Sequence, residues 1–384
     1  MYVFSTLNSV TEIPSDEWNS KLPPSATPFL SHEFLNALEA SGCVSAETGW
    51  TPSHLISEDR SLILPAYIKT HSYGEYVFDW SWAEAYANHG LDYYPKLLIG
   101  IPFTPVPGPR ILGGIQDSKA LFAGLNAFCQ AKELTGWHMN FVASPSDALQ
   151  QASLQEAGND TDFPALRDGC QFIWRNRPEG HLYQSFDEYL STFVSRKRKT
   201  LLKERRKIDD QGLSVKRLTG KDISVDDIGF FYHCYRDTYL QRRSMPYLSE
   251  EFFQQLRETM HQQMMLVIAE DSDGPCAAAL CFFDNDTLYG RYWGCIKDYD
   301  ALHFEACYYQ GIEFCIERKL KAFNPGTQGE HKISRGFAPE FTHSLHWLAH
   351  PGFQNAILRF TDEERLHIQA YAEDAANLLP FHRG

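Results

Sequence analysis

A loop late in the chain combines the side chains that most often move protons in enzymes. It reads Gly326-Thr327-Gln328-Gly329-Glu330-His331-Lys332, with a carboxylate, an imidazole and an ammonium group in succession. Such groups act as general bases or stabilise charge that develops in a reaction, and glycines allow sharp turns and the close approach of a ligand. A solvated polar loop is the alternative interpretation. The elements that position the loop must decide between the two.

Composition predicts a globular protein of two domains. Of its 384 residues, 43% are hydrophobic and 14% are aromatic, and a single hydrophobic core stops growing at roughly 250 residues. No apolar run reaches the roughly 18 residues that a membrane span needs, and the first residues lack a basic region followed by an apolar one. We therefore expect a soluble, unexported protein of the cytoplasm with no transmembrane segment.

Charge and cysteine usage exclude several classes. A net charge of -14 argues against general coating of nucleic acid, so any polyanion must bind at a local site. The nine cysteines form no Cys-x-x-Cys pair and are expected to be reduced core thiols. His343, His346 and His350 have the spacing of one helix face, but such spacing arises easily among 15 histidines, and we predict no metal site.

One such local site is a basic helix. Ser185 and Glu188 have the spacing of a capping box and predict the start of a long helix at Phe186. Its latter half carries many cations against Glu204 alone: Arg196, Lys197, Arg198, Lys199, Lys203, Arg205, Arg206 and Lys207. A solvated helix face is the usual meaning of such a run, and a site for a phosphate-rich partner is the functional one.

The remaining pattern separates two domains near residue 175. The stretches 158–162 and 177–180 are rich in turn-forming residues. We expect an N-terminal domain over 1–175 and a C-terminal domain over 176–384, the latter with the basic helix and the Glu-His-Lys loop.

Periodicity predicts the element order of the second half. It gives a strand at 213–218, helices at 225–240 and 250–262, strands at 264–270, 276–283 and 287–294, a helix near 304–315, a strand at 320–324 and a final helix at 362–379. In the first half, aromatic residues alternate with Glu75 and Asp79 between His71 and Trp82. This segment is either a substrate groove or an irregular part of the core.

Five segments of the chain match a known pattern. They are Tyr289–Gly294, Leu302–Glu313 and Gly329–Lys332 in the second half, and His71–Asp79 and Tyr93–Leu97 in the first. Together they resemble the bacterial FemAB-like N-acyltransferases over nearly the whole chain. The resemblance implies an α+β fold of two tandem GNAT-like domains (the acyl-CoA N-acyltransferase fold), with mixed central sheets flanked by helices. Related Fem peptidyltransferases attach amino acids from aminoacyl-tRNA to peptidoglycan precursors.

The resemblance also implies a cleft. In that fold the fourth and fifth strands of a domain separate, and the reacting groups meet in the gap. The two strands here would be 287–294 and 320–324, so Arg291, Tyr292 and the Glu-His-Lys loop would border one cleft. This convergence favours the reactive interpretation of the loop over the solvated one.

We hypothesise the following roles. Glu330 or His331 is the general base, and Lys332 with Arg291 stabilises an oxyanion or a phosphate. The candidate substrate-binding residues are Tyr292, Gln328, Arg335, His71, Tyr73, Glu75 and Asp79. The candidate anion-binding residues on the basic helix are Arg198, Lys199 and Lys203. Fem-type enzymes have a comparable basic helix, which suggests tRNA or a lipid-pyrophosphate head group as its partner.

The chain departs from acetyl-CoA enzymes at one turn. Such enzymes hold the pyrophosphate of CoA on a glycine-rich turn after the fourth strand, whereas the turn Lys297–Leu302 has no glycine and two carboxylates. We expect no tightly bound cofactor, and an acyl donor that is either aminoacyl-tRNA or acyl-CoA. Three functions stay open: a FemAB-type transferase acting on an amine, such as that of a peptidoglycan precursor; a CoA-dependent N-acetyltransferase of a small molecule or peptide; and a non-catalytic anion-binding protein.

Overall fold

The chain forms two compact units. The computed structural model describes residues 1–115, 117–143, 161–177, 180–327 and 329–382. The first unit comprises Met1–Cys170 with Phe341–Ala370, and the second comprises Gln171–Glu340 with Tyr371–Gly384. The sequence predicts a single boundary near residue 175 and a continuous C-terminal domain over 176–384. The structure differs, because residues 341–370 return to the first unit.

The described strands follow one another in this order: β1 (Phe4–Leu7), β2 (Trp50–Pro52), β3 (His54–Ser57), β4 (Ile63–Leu64), β5 (Ala66–Lys69), β6 (Lys96–Ile99), β7 (Gly136–Val142), β8 (Ala165–Arg175), β9 (Ser214–Thr219), β10 (Met264–Asp271), β11 (Gly274–Phe283), β12 (Thr287–Cys295), β13 (Ala322–Asn324) and β14 (Ala338–Leu348). The division between the units falls within β8 and β14.

The described α-helices are α1 (Ser15–Ser20), α2 (His32–Ala40), α3 (Trp80–Asn88), α4 (Ser118–Ala131), α5 (Phe186–Ser191), α6 (Ser195–Asp210), α7 (Val225–Gln241), α8 (Glu250–Met260), α9 (Leu302–Phe304), α10 (Gln310–Arg318) and α11 (Pro351–Asn377). A π-helix over Glu305–Tyr309 joins α9 to α10, and a 3-10 helix covers Glu330–Arg335. Among the described helices, none is long and apolar enough to cross a membrane.

Among the described strands, each unit has one parallel pair in a sheet whose other strand pairs are antiparallel. In the first unit the order is β2-β5-β6-β7-β14, and β6 runs parallel to β7. In the second unit the order is β8-β13-β12-β11-β10-β9, and β12 runs parallel to β13. A helix lies between the paired strands in the chain in both cases, α4 in the first unit and the α9–α10 region in the second. A parallel pair requires such a crossover connection.

The strands of the second parallel pair soon separate. Their register ends at Tyr289 opposite Asn324, after which β12 continues for several residues. Within that continuation Leu280 pairs with Tyr292 and Cys281 pairs with Gly290, so Arg291 is the extra residue of a β-bulge. Bulges redirect side chains and are common beside active sites. The separation and the bulge together leave a gap at the carboxyl ends of β12 and β13.

The basic helix is shorter than the sequence predicts. Ser185 caps α5 by accepting a hydrogen bond from Glu188 N at 3.1 Å, as expected. The helix then stops, because Phe193 forms a β-bridge with Phe381 and Val194 N donates to Pro380 O at 2.9 Å. The cations therefore lie on the separate helix α6, whose buried residues are Leu201 and Ile208.

Candidate active site

Lys332 lies at the end of the gap. After β13, Asn324 Oδ1 accepts a hydrogen bond from Gly326 N at 2.9 Å and shapes the turn into the loop. Lys332 is only 1% exposed, and its Nζ donates to Gly326 O at 2.6 Å. Among the residues that the structure describes, no carboxylate forms an ion pair with it. Burial therefore lowers the pKa of the Lys332 ammonium group to about 7, and Cys307 opposes the shift only in part.

His331 is exposed and held by two neighbours. Its Nε2 lies 2.7 Å from the hydroxyl of Tyr308 on the π-helix. Gly329 has φ +105°, and a Cβ at that position would lie 2.1 Å from Cε1 of His331. Glycine is therefore required there, because the ring occupies the space of a side chain. Burial, and then the charges of Arg335 and Lys332, lower the pKa of His331, so its imidazole is neutral at pH 7.

Arg335 holds the loop in place. Its Nη2 donates to Glu204 on α6 at 2.7 Å, its Nη1 to the carbonyl of His331 at 2.7 Å, and its Nε to the hydroxyl of Tyr309 at 3.1 Å. Its guanidinium carbon also lies 3.5 Å from the ring centroid of Phe304. Arg335 is predicted to bind substrate, but in the structure its donors contact the protein. Through its hydrogen bond to the carbonyl of His331, Arg335 holds that residue in position.

His303 adds a second neutral imidazole. Its ring centroid lies 6.0 Å from that of His331 and 5.4 Å from that of Trp293. Burial, followed by the charges of His331, Arg335 and Lys332, lowers the pKa of His303 to about 4. His303 lies in the matched segment Leu302–Glu313, and the sequence favoured a role for it in capping the start of the helix. In the structure it does not cap the helix, because Ala301, in the left-handed region at φ +66°, begins α9 without a side-chain cap.

The other residues predicted for this site are less closely associated. Glu330 is exposed, and its Oε1 accepts a hydrogen bond from Tyr371 at 3.0 Å. The ring of Tyr292 packs against Phe253 at 5.2 Å, in the aromatic cluster beneath α7 and α8. Arg291 occupies the bulge, with its guanidinium 5.5 Å from the Tyr292 ring. Gln328 lies outside the described residues.

The first-unit candidates divide into buried and exposed side chains. Glu75 and Asp79 are buried and contact Lys96, which lies in the matched segment Tyr93–Leu97 but received no role from the sequence. Lys96 Nζ lies 2.9 Å from Glu75 Oε2 and 2.9 Å from Ser72 Oγ, and it also contacts the carboxylate of Asp79. We call Ser72, Glu75, Asp79 and Lys96 the Lys96 cluster. His71 is partly buried and Tyr73 is exposed.

Mutual neutralisation dominates the Lys96 cluster. Burial alone would lower the pKa of Lys96, but the carboxylates of Glu75 and Asp79 raise it above its usual value. Burial would likewise raise the pKa of Asp79, yet Lys96 and His138 hold it well below its usual range. Burial raises the pKa of Glu75 to about 7 despite Lys96. The cluster therefore keeps Lys96 charged.

A chain of hydrogen bonds extends from this cluster through the first unit. Tyr93 donates to Asp79 Oδ2 at 2.7 Å and lies 3.3 Å from His138 Nε2. His138 Nδ1 lies 2.6 Å from His346 Nδ1, and His346 Nε2 lies 2.8 Å from Ser344 Oγ. His346 is thus a hydrogen-bonded residue on a strand, and the helical spacing of His343, His346 and His350 does not apply. Within the described residues, no group of three potential ligands suits a metal ion.

Four cations share one exposed face of α6. Arg196, Lys199, Lys203 and Arg206 follow the spacing of a single helix face and are all exposed. We call these four the basic face. Arg205 instead pairs with Glu305 at 3.0 Å and Glu313 at 2.5 Å. Of the predicted anion-binding residues, Lys199 and Lys203 lie on the basic face, and Arg198 lies beside it and is half-buried.

A family model covers nearly the whole molecule. The FemAB-like family, described as acting in peptidoglycan biosynthesis/recognition, matches residues 9–383. The chain belongs to the FemAB-like family. The match confirms the resemblance found in the five sequence segments. No curated protein matches the chain.

Solved structures share the fold of this FemAB-like protein. FemX aligns with a TM-score of 0.53 at 11% identity, over 88% of this chain and 96% of FemX. The C-terminal domain (DUF2156) of a protein assigned as a lysylphosphatidylglycerol synthetase from Agrobacterium fabrum aligns with a TM-score of 0.55 at 9% identity, over 91% and 96% of the two chains. The predicted α+β fold class, with mixed sheets and helices, is confirmed.

Proposed function

We propose that this protein is an N-acyltransferase of the FemAB type, which transfers an acyl or aminoacyl group to an amine of a peptidoglycan precursor. One observation carries the proposal. In a member of this family, the gap between β12 and β13 ends at the buried, unneutralised Lys332, next to the exposed neutral imidazole of His331. Burial of a lysine without a counter-ion is costly for folding, so a functional reason for it is favoured.

The proposed reaction has three steps. The acceptor amine attacks the acyl carbonyl carbon while His331 takes one of its protons. The ammonium group of Lys332, assisted by Arg291 in the bulge, stabilises the oxygen on which negative charge develops. The intermediate then collapses, the bond to the leaving group breaks, and the imidazolium of His331 returns its proton to the leaving oxygen or sulfur. His331 is favoured over Glu330 as base because Tyr308 and Gly329 fix its ring.

Aminoacyl-tRNA is the favoured donor. The polar groups of the turn 297–302 form hydrogen bonds and ion pairs within the protein, which leaves them less suited to bind the pyrophosphate of CoA. Lys297 Nζ contacts Asp271 and Asp273 at 2.8 Å each, and Tyr299 donates to Asp271 at 2.8 Å. Asp300 contacts Lys207, and its backbone N donates to Gln211 at 3.1 Å. The basic face lies on α6, which also supplies Glu204 to Arg335. It is proposed to hold the tRNA phosphates or a lipid-pyrophosphate head group.

A donor assay tests this function. The purified protein is incubated with a peptide that bears the free lysine amine of a peptidoglycan stem, together with either a mixed aminoacyl-tRNA pool or acetyl-CoA. Mass spectrometry then detects the modified peptide. Transfer from aminoacyl-tRNA that is lost in His331→Ala supports the proposal. Transfer from acetyl-CoA alone would support the CoA-dependent alternative, and product formed equally well by His331→Ala would contradict the assigned site.

A further inference from the structure

The buried Lys96 cluster holds residues 71–80, a surface segment of the first unit, in place. Ser72, Glu75 and Asp79 all contact the same Nζ of Lys96, which is fully buried. Arg167 Nη1 also donates to the carbonyl of Phe78 at 2.7 Å. These contacts fix residues 71–80, which we call the aromatic loop. Because a buried charge pair is lost only at high cost, the loop is rigid before any ligand arrives.

The side chains between these anchors face solvent and are aromatic. Tyr73 is 56% exposed, Phe78 is 59% exposed and Trp80 is 42% exposed. The ring centroids of Tyr73 and Trp80 lie 5.1 Å apart, and those of His71 and Tyr73 lie 5.2 Å apart. Single exposed apolar residues are ordinary, but a cluster of large ones on a fixed loop is typical of a binding surface.

The backbone of the aromatic loop supports the same interpretation. Gly74 has φ +81° and Tyr76 has φ +60°. A positive φ is rare for a bulky residue, and such backbone strain persists mainly where function requires the shape. A Cβ on Gly74 would lie 2.6 Å from the ring of Phe103. The loop is thus pressed onto the core in a conformation that turns its aromatic rings outward.

The surface offered by the loop carries no formal charge. Its carboxylates, Glu75 and Asp79, contact Lys96 in the interior, and no lysine or arginine occurs between residues 71 and 80. Arg167, which contacts the loop at Phe78, is paired with Glu364 at 2.7 Å, so a phosphate-rich ligand would find no unpaired cation within the loop. A neutral ligand with flat C–H faces and hydrogen-bonding edges fits better, because tyrosine, tryptophan and histidine combine an apolar face with a polar tip. Sugar rings have this chemistry.

We propose that the aromatic loop binds the sugar rings of a neutral amino-sugar glycan. The inference deepens the proposed function, on which it rests for the choice of glycan: the acceptor would carry sugars as well as the reactive amine. Tyr73 and Trp80 would stack on the rings, and His71 would contact their substituents. Lys96 is a positioning residue in the protein's interior: by holding the backbone of the aromatic loop, it fixes the distance between the rings of Tyr73 and Trp80.

Calorimetric titration tests the loop directly. The full-length protein is titrated with a β-1,4-linked tetramer of N-acetylglucosamine and with cellotetraose, which lacks the acetamido groups. We expect the acetylated sugar to bind more tightly, and Tyr73→Ala and Trp80→Ala each to weaken it about tenfold, as the loss of one stacked ring predicts. Phe341→Ala, which removes another exposed aromatic side chain, is the matched control. All three residues are exposed, so the midpoint of thermal unfolding should not change.

The outcomes separate this inference from the proposed function. No heat from either sugar at millimolar concentration would overturn it, as would binding that survives both Tyr73→Ala and Trp80→Ala. Equal binding of cellotetraose would overturn the assignment to an amino sugar. Lys332→Met should bind the acetylated tetramer like the wild type, because it leaves the aromatic loop intact. If the sugar binds nowhere while transfer still requires His331, only the inference about the loop fails.

Discussion

Two buried lysines in this protein face opposite environments. Lys96 in the first unit is fully buried and contacts two carboxylates, which raise its pKa. Lys332 in the second unit is buried almost as completely, but in the described part of the chain its Nζ donates to the carbonyl of Gly326 and forms no ion pair, and burial lowers its pKa to about 7. Burial alone therefore does not reveal what a lysine does. The neighbours decide whether its charge stabilises the fold or is available to chemistry.

The chain beyond the two parallel strand pairs differs between the units in the same way. Beyond β6 and β7 the first unit places Arg110, whose guanidinium donates to the carbonyls of Asn140 and Val106 at 2.7 Å and of Pro109 at 2.9 Å. Arg110 is buried and its donors are used for structure. Beyond β12 and β13 the second unit places the bulge of Arg291 and the loop of Lys332. The region beyond β6 and β7 is therefore structural, and the gap beyond β12 and β13 is the place of the proposed transfer reaction.

The largest expected effect is that of Lys96→Met on stability. The substitution leaves Glu75 and Asp79 buried without a counter-ion, and removal of one partner of such a pair costs about 3–5 kcal/mol of the free energy of unfolding. Urea unfolding of the purified variant measures this loss. The triple variant with Glu75→Gln and Asp79→Asn should recover most of it. A Lys96→Met protein as stable as the wild type would contradict the structural role of the cluster.

Lys332→Met should reduce transfer and not stability, in contrast to Lys96→Met. We expect transfer to fall about 100- to 1000-fold, as for the loss of one oxyanion donor, without loss of stability. The pH dependence of stability follows from the pKa of Lys332, which is about 7 in the folded protein and about 10.4 in the unfolded chain. Between these values the unfolded chain binds more protons, so stability of the wild type rises with pH. The variant lacks this rise, and urea unfolding at pH 7 and pH 9 measures it.

Lys69→Met is the matched control for that experiment. Lys69 is also buried, it donates to Gly49 O at 3.1 Å, and burial likewise lowers its pKa to about 7. It belongs to the first unit and is not among the residues assigned to the proposed reaction. Equal loss of transfer in Lys69→Met and Lys332→Met would mean that both substitutions act through folding.

The pH dependence of transfer sharpens the roles further. His331 must be neutral, and its pKa is lowered from the usual value of about 6.5. Lys332 must be charged, and its pKa is about 7. We therefore expect a bell-shaped profile whose falling limb lies near pH 7 and moves to higher pH in Lys332→Arg, because arginine stays charged. A rate that rises steadily from pH 7 to pH 9 would instead assign Lys332 as a base.

Part of the second unit was predictable from sequence, for physical reasons. Helix periodicity, capping residues and the five matched segments located β10, β11, β12 and the reactive loop within a few residues. Residues 338–348 were missed as a strand because His343 and His346 have helical spacing, whereas pairing with β7 makes them part of a sheet. Lys96 and Tyr308 lie in matched segments and Glu204 lies in the basic helix, but none of them received a role from the sequence, since their roles depend on contacts with residues distant in the chain.

A smaller effect is expected from Gly329→Ala. The new Cβ would overlap the ring of His331, and φ +105° is strained for alanine. Transfer should fall about tenfold through displacement of the base. Gly274→Ala is the matched control, because it has a similar φ of +122° and nothing within 4 Å of the new Cβ. If both variants lose the same activity, backbone strain explains the loss and the fit between Gly329 and His331 does not.

The smallest expected effect is that of charge reversal on the basic face, the cluster of exposed cations in the second unit. Lys199→Glu with Lys203→Glu should weaken binding of an aminoacyl-tRNA pool and reduce the slope of its salt dependence by about one for each phosphate that the face no longer neutralises. Filter binding at several salt concentrations measures that slope. Lys132→Glu with Lys221→Glu makes the same change of charge at exposed lysines elsewhere. If this control weakens binding equally, the attraction comes from total charge, and α6 offers no defined site for the donor.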